Sequence, residues 1–255
     1  MDKTLIMNRF SKARPTYDSE AVIQSKIAKH LVYLVNRFVD INKVERMLEV
    51  GCGSGMFSRL FLNNCKPQKV YLNDLCSDHK HSLSDLLSES IYFLEGDAES
   101  IRLPDKLDLI VSCSAIQWFE NPVNFIRNCQ ALLNEKGYLA ISTFGPQNLR
   151  EVSTLTGISL RYPTLDNLLF SLSDSFDVIY SHEELQKLTF KTPVEVLRHL
   201  KATGVTGISK QRWTKAKLSH FSNQYEKLYQ SEEEGGITLT YHPVYIILKK
   251  KDDGK

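Results

Sequence analysis

Residues 47–55 read MLEVGCGSG. An apolar run that carries one acid, Glu49, and empties into Gly51, Gly53 and Gly55 is a strand followed by a turn without Cβ atoms. Backbone amides and the next helix's N-terminus can approach a ligand closely there. On its own the G-x-G-x-G pattern leaves dinucleotides, phosphates and other adenosine-bearing ligands open. The dinucleotide fingerprint requires a glycine at position 56, which is Met56, and Glu49 sets negative charge where a pyrophosphate would lie. A phosphate loop requires Lys followed by Ser or Thr, and neither closes this turn. The stretch points to a ligand with no phosphate at the turn, and one that can be cationic.

Working outward, strand-like runs at Val44–Val50, Lys69–Asn73, Ile91–Glu95, Leu107–Ser114 and Gly137–Phe144 alternate with helical spacing, as in Met56–Asn63 and Asn121–Leu133. Such alternation predicts parallel βαβ units with both sheet faces covered. Asn121 is placed to cap a helix, Pro122 to occupy its first position and Gly137 to follow its end. After Phe144 the rhythm changes. Residues 145 to about 175 and 192 to about 230 read as helices, the second including VEVLRHLKATG with Val194, Leu197 and Leu200 on one face and Gly204 as a stop. DVIYSHEELQKLTF and the terminal ITLTYHPVYIILKK have strand composition, the latter after a turn at Gly235-Gly236, and are predicted antiparallel partners closing the sheet. The helical insertions are expected to form a lid over the carboxyl ends of the strands.

Two more acids fall at strand ends. Asp74 closes YLND 19 residues after Gly55, near the offset at which a carboxylate can take both ribose hydroxyls. Asp97 closes LEGD and precedes Ala98, whose short side chain leaves room for a planar base while the acid accepts from an exocyclic amine. Each acid alone reads equally as a cap or turn residue. Together the three strand ends describe one adenosine-sized site.

Composition narrows the class. The chain has 255 residues, 42% of them hydrophobic, and a net charge of +2, enough for one large core and too balanced for sequence-independent nucleic-acid binding. Five cysteines, Cys52, Cys65, Cys76, Cys113 and Cys129, form no C-x-x-C pair, so neither a disulfide framework nor a metal site is expected, and they read as reduced core thiols. No segment approaches the ~20 apolar residues of a membrane span. The expectation is a cytoplasmic protein with no nucleic-acid or membrane partner. Glu232–Glu234 and the tail KKKDDGK read as a solvated loop and a frayed end.

LEVGCGSG, YLND, EGDAES and DLIVSCSAIQWFENP together resemble the cofactor segments of class I S-adenosylmethionine-dependent methyltransferases. The resemblance implies an α/β fold with a doubly wound, seven-stranded, mostly parallel sheet, Rossmann-like, with helical lid insertions. One domain is then expected, with 1–40 a helical cap, 41–145 the cofactor core, 146–230 lid helices and a strand, 231–250 the last strand and 251–255 a tail. It further implies Glu49 beneath the sulfonium and amino-acid portion, with Gly51, Cys52 and Gly53 passing under the cofactor. Asp74 with Leu75 would lie at the ribose, Asp97 with Ala98 at the adenine, and Ser112 to Gln117 along the methionine side. A sulfonium tolerates Glu49 where a pyrophosphate would not.

RFSKARPTYD, FGPQNLREV, FKTPVEVLRHLKATGV and LTYHPVYIILKK are similar to segments of the malonyl-acyl carrier protein O-methyltransferases of biotin synthesis. That likeness implies methylation of the free carboxylate of a malonyl thioester, on acyl carrier protein or coenzyme A, with S-adenosylhomocysteine as by-product and no metal. Alternatives on the same fold are another small carboxylic acid or quinone-like substrate, or a non-methylating assembly factor or hydroxylase. Pro15 stands where the family more often has an Ala-type residue, which bears on the local helix and not on Tyr17. A malonyl carboxylate is already ionised near neutral pH, so no general base is expected, and the chemistry reduces to approach, alignment and water exclusion. Arg150 is the first candidate to grip the carboxylate, with Arg198 and Lys201 as rivals that can equally meet a carrier protein's acidic surface or the phosphopantetheine phosphate. Tyr17 is expected to cap the cofactor's methionine end and Trp118 to wall the transfer space, though each reads also as packing. His242 is expected to be structural.

Overall fold

The computed structural model describes residues 1–205, 213–231 and 235–251. In chain order α1 (Lys3–Glu20) and α2 (Val22–Phe38) precede β1 (Arg46–Val50), α3 (Met56–Asn64), β2 (Lys69–Asp74) and the single turn α4 (His79–Ser82). Then come β3 (Ile91–Glu95), β4 (Leu107–Cys113), α5 (Pro122–Leu132), β5 (Leu133–Phe144), α6 (Arg150–Thr156) and α7 (Leu165–Leu172). The described chain closes with β6 (Phe176–Glu183), β7 (Gln186–Phe190), α8 (Pro193–Ala202), α9 (Lys215–Tyr229), β8 (Gln230–Ser231), β9 (Gly236–Tyr241) and β10 (Pro243–Lys250). None of the described helices is long and apolar enough to cross a membrane.

Two compact units share this chain, and they interleave instead of following one another. The sheet unit comprises Ile23–Thr143, Pro163–Glu183 and Val244–Lys255. Its seven strands run in the order β3-β2-β1-β4-β5-β10-β6, the α/β architecture the alternating pattern predicts. β1 pairs in parallel with β2 and β4, β2 with β3, and β4 with β5, whereas β6 and β10 are antiparallel. The core is aliphatic, with Leu48, Val50, Ile110, Leu139, Ile141 and Ile246 among its fully buried members. α2 buries Ile23, Ile27, Leu31, Leu34 and Val35, a helical stripe. Asp108 fixes the start of β1 by accepting from the amides of Glu45 and Arg46, both at 2.9 Å, so the strand begins two residues later than Val44. At its far end β4 stops at Cys113 because Ser114 takes a φ of 55°.

The expected α5 stands, with Asn121 accepting from the Asn124 amide and Pro122 in the first turn, but it ends at Leu132. Gly137 is not its stop. Leu133 is already extended, the register jumps from Leu107↔Leu133 to Leu109↔Tyr138, and a Cβ on Gly137 would sit 2.9 Å from the Leu107 carbonyl oxygen. Close backbone approach, not helix termination, requires that glycine. The helical stretch expected over 145–175 holds two short helices, because Gly157 ends α6 with a φ of 70° and Pro163 keeps the preceding residues extended. Lys249 and Lys250 belong to β10, and Lys251 bonds to the carbonyls of Ser173 and Ser175, so the tail is ordered further than expected. Residues 206–212, Glu232–Glu234 and 252–255, on which parts of the helical, loop and tail expectations fall, lie outside the described residues.

The second unit comprises Met1–Val22, Phe144–Tyr162 and Glu184–Pro243, with a three-stranded sheet in the order β7-β9-β8. The two long strands expected near the C-terminus are therefore four. The antiparallel pairing is as expected, β6 with β10 and β7 with β9, but both partners break together. Pro243 has no N–H for a ladder, and the amide of His242 turns away to Asn148 Oδ1 at 3.2 Å. α8 buries Pro193, Val196, His199 and Leu200 and exposes Val194, so its inward face is rotated from the apolar one read off the sequence. His199 is accepted inside because its Nε2 lies 2.8 Å from the Tyr241 hydroxyl. Gly204 stops the helix as expected, with a φ of 73°. α1 persists through Pro15, held by Thr16 Oγ1, which donates to the carbonyls of Ala13 and Ala202.

Glu151 knits this unit. Its carboxylate is buried and accepts from both the Thr240 amide at 3.0 Å and the Thr240 hydroxyl. Glu151→Ala should lower unfolding stability by about 2–3 kcal/mol, the scale of hydrogen bonds to a charged group left unmade, read from the urea midpoint; a wild-type midpoint would refute this account of α6 and β9.

Candidate functional site

The carboxyl ends of β3, β2, β1 and β4 lie side by side in the sheet unit and carry most of the residues singled out from sequence. The glycine turn is left-handed at all three positions, with φ of 71°, 54° and 83° at Gly51, Gly53 and Gly55. A Cβ on Gly51 would collide with Ala115 at 2.2 Å, whereas one on Gly53 would meet nothing within 4 Å. The turn is thus packed on one side and open on the other, a cradle for something flat against the backbone. The Gly51 and Cys52 amides both donate to the Asn73 carbonyl at 2.9 Å, which ties the turn to β2.

Asp74 is buried, and its two oxygens are already engaged: Oδ2 accepts from Gly53 N and Oδ1 from Cys76 N, each at 2.8 Å. Each oxygen keeps a further lone pair. The carboxylate shapes the turn and remains able to accept from a ligand. Leu75 beside it is half-buried. Asp97 closes the turn after β3, where Oδ1 accepts from Glu99 N at 3.1 Å, and Ala98 is buried next to it.

Glu49 is 1% exposed. Burial, and after it the charge of Asp74, pushes its carboxyl up to about 8, against the opposing pull of the Ser58 hydroxyl, which donates to it. Two buried carboxylates flank one turn. The Asp74 charge, joined by that of Glu49 once a cation displaces its proton, suits a cation and offers no positive charge to a diphosphate, so the residues present fit S-adenosylmethionine and not a dinucleotide. Cys52 is buried with a thiol pushed well up by desolvation, and it contributes backbone rather than a nucleophile.

From β4, Ser112 is buried and donates its hydroxyl to the Val50 carbonyl at 3.1 Å. Gln117 Nε2 donates to the Ser114 carbonyl, and its Oε1 accepts from Thr143 Oγ1 at 3.4 Å. Trp118 ends the following 3-10 turn, half-buried. Two residues that fix these loops escaped the sequence reading. Asn73 donates its side-chain amide to the Leu94 and Gly96 carbonyls, both at 2.9 Å, and Glu99 accepts from the amides of Glu120 and Asn121, both at 2.9 Å. Asn73 and the acid in EGDAES were visible as residue types, but their partners are set by strand order.

The second unit holds Tyr17, Arg150, Arg198 and Lys201. Tyr17 meets Phe10 edge-on at 6.3 Å between ring centroids. Burial, and after it the nearby Tyr17 and Tyr162 phenols, pushes the Tyr241 hydroxyl up. Arg150 opens α6 immediately after Leu149, a non-glycine residue held at a φ of 55°. Its guanidinium donates to Gln147 Oε1 at 2.8 Å, its Nε lies 3.7 Å from Glu151, and its side chain is 44% exposed. The preceding segment is anchored by His242, whose Nδ1 accepts from Gln147 N at 3.2 Å. Arg198 and Lys201 lie on the exposed face of α8.

The sheet order and the glycine cradle define a nucleoside-binding α/β fold, and residues 48–141 match the family model described as a methyltransferase domain. The fold is similar to that of the YcgJ protein of Bacillus subtilis, with a TM-score of 0.62 at 16% identity over 89% of this chain and 100% of that one. It is also similar to a Haemonchus contortus phosphoethanolamine N-methyltransferase solved with phosphomonomethylethanolamine and S-adenosylhomocysteine, with a TM-score of 0.55 at 15% identity over 88% of this chain and 52% of that one. Among curated proteins, the malonyl-[acyl-carrier protein] O-methyltransferase of Bacteroides thetaiotaomicron is 44% identical over 262 residues, 98% of this chain and 99% of that protein. One from Bacteroides fragilis is 46% identical over 249 residues, 98% of this chain but 51% of that protein, so the chain spans about half of the longer relative. The chain belongs to the malonyl-[acyl-carrier protein] O-methyltransferase family of class I methyltransferases.

Glu49 gives the site a pH signature. Its folded value, about 8, lies above the ordinary 4.5, so the unfolded chain loses this proton first. The contribution to stability is complete below 4.5 and lost as pH rises towards 8, at up to about 1.4 kcal/mol per pH unit. Glu49→Gln should remove that decline from unfolding curves taken at pH 5 to 8; an unchanged slope would contradict the assignment.

Proposed function

We propose that this chain transfers a methyl group from S-adenosylmethionine to the free carboxylate of a malonyl thioester on acyl carrier protein, giving the methyl ester that primes pimeloyl assembly for biotin. The observation that carries the reading is the pair of buried carboxylates at an open glycine turn, in a chain 44% identical over nearly its whole length to a protein named for that activity. Bound S-adenosylmethionine supplies an electrophilic methyl carbon on a cationic sulfur.

The chain's own residues bind, orient and exclude water. Glu49, protonated without a cation beside it, would give up its proton as the sulfonium arrives and then set negative potential for the sulfonium and amino-acid portion. Gly51, Cys52 and Gly53 provide the floor, and Asp74 with Leu75 holds the ribose. Asp97 and Ala98 frame the adenine, while Ser112, Gln117 and Trp118 line the methionine side. Tyr17 caps that end. The substrate's carboxylate is ionised at neutral pH, so no side chain has to remove a proton, and the buried thiols and His242 have no chemical step to perform. Arg150 grips the carboxylate: a guanidinium half in water, with one edge held by Gln147, keeps donors for bidentate contact. Arg198 and Lys201 supply positive charge for an acidic carrier protein or its phosphopantetheine phosphate.

Purified protein given S-adenosylmethionine should methylate malonyl-acyl carrier protein, with product identified by mass, and leave an acyl chain ending in methyl untouched. Malonyl-coenzyme A run alongside measures the thioester preference, and no transfer to either malonyl thioester would defeat the reading. Arg150→Ala should cut kcat/KM for the thioester by about 100-fold, the scale of a lost charge-orienting donor, while S-adenosylhomocysteine affinity stays within twofold of wild type, or about 0.4 kcal/mol. Asp74→Ala should do the reverse, weakening S-adenosylhomocysteine by more than about tenfold in calorimetry; wild-type affinity would remove the ribose assignment.

A further inference from the structure

Immediately after the ribose acid the chain reads Asp74-Leu75-Cys76-Ser77-Asp78-His79, a D-x-C-x-x-H spacing that the methyl-transfer reading does not use beyond Asp74 and Leu75. The end of β2 and the start of α4 fold these residues back on one another. Asp74, Cys76 and His79 are all buried, and each offers a ligand atom within 4.8 Å of the others. The Nδ1 of His79 is buried with no hydrogen-bond partner, in a residue only 8% exposed. A buried imidazole nitrogen left unsatisfied costs free energy and calls for a partner. The two groups beside it are a thiol and a carboxylate.

The geometry points to a zinc-binding site formed by Asp74, Cys76 and His79. Thiolate, imidazole and carboxylate are a zinc donor set, whereas magnesium and calcium prefer oxygen alone. Three protein ligands leave a fourth tetrahedral position for water. The Asp74 oxygens that accept the Gly53 and Cys76 amides each retain a lone pair for the metal. Burial and the neighbouring carboxylates hold the Cys76 thiol protonated, so binding forms one Zn–S bond and releases one proton to solvent, with no change of oxidation state.

The site has a consequence for the proposed function. Asp74 cannot serve a metal and a ribose at once, so zinc and the nucleoside cofactor exclude each other, and zinc is an inhibitor acting through the cofactor site. The metal site itself does not depend on the methyltransferase reading; only this competition does.

Cobalt(II) added to the full chain tests the site directly. It should produce a thiolate-to-cobalt charge-transfer band in the near ultraviolet, and zinc should bleach it. Cys76→Ser should abolish the band and His79→Gln should weaken cobalt affinity by at least about tenfold, with S-adenosylhomocysteine binding in metal-free buffer reporting that each variant is folded. No band in the wild type, or a band unchanged by both substitutions, overturns the site. In a second arm, zinc should weaken S-adenosylhomocysteine binding to the wild type and leave the variants indifferent. Equal weakening in all three proteins overturns the competition. A cobalt band present in a protein that binds no S-adenosylhomocysteine would leave the metal site standing and strike the cofactor reading instead.

Discussion

The site rests on where Asp74 puts its charge. A carboxylate buried at the end of a central parallel strand must be satisfied by backbone donors, and it finds them in Gly53 and Cys76, one on each side. That requirement bends the glycine turn towards β2 and sets the path of the chain after it. Glu49, one strand over, is then desolvated within range of a second negative group and holds its proton at neutral pH. The cluster is electrostatically incomplete by construction. A cation arriving there would displace the Glu49 proton and complete the cluster, whereas a diphosphate would meet no positive charge in it.

Around this cluster the loops are held by hydrogen bonds that cross between strands. The Asn73 side chain binds the end of β3, its carbonyl binds the glycine turn, and Glu99 reaches the residues that open α5. Three loops from separate places in the chain thus behave as one surface. The second unit uses the same device at a different point: Asn148 accepts from the His242 amide and donates to the Tyr162 hydroxyl, and the left-handed Leu149 delivers Arg150 at the head of its helix. Backbone strain at a non-glycine residue persists only where neighbours over-determine it.

Much of the sheet unit was legible in the sequence because its signals are local. Glycines after an apolar run, acids at strand ends and a Pro at a helix start each have a chemical reason within a few residues. What escaped is non-local. The apolar residues of α8 suggested a face through Val194, and the true face includes His199, whose burial depends on the Tyr241 hydroxyl 42 positions away. Gly137 looked like a helix stop, and the carbonyl that requires it belongs to Leu107 on another strand. The D-x-C-x-x-H spacing was in view, yet only the fold of α4 turns His79 inward. The single break that splits two long strands into four rests on Pro243, a residue correctly seen as foreign to a ladder, and on an Asn148 acceptor that no local pattern announces.

The position of β10 carries an implication for how the molecule is made. It is the last of the described strands and an interior one in the sheet, between β5 and β6. While the ribosome is still at work, β5 therefore presents an open, strongly apolar border, and β6 has no partner in that sheet to lie against. Closure waits until β10 has been made. A nascent chain in that condition is sticky, and loss of β10 removes a central stave instead of trimming a rim.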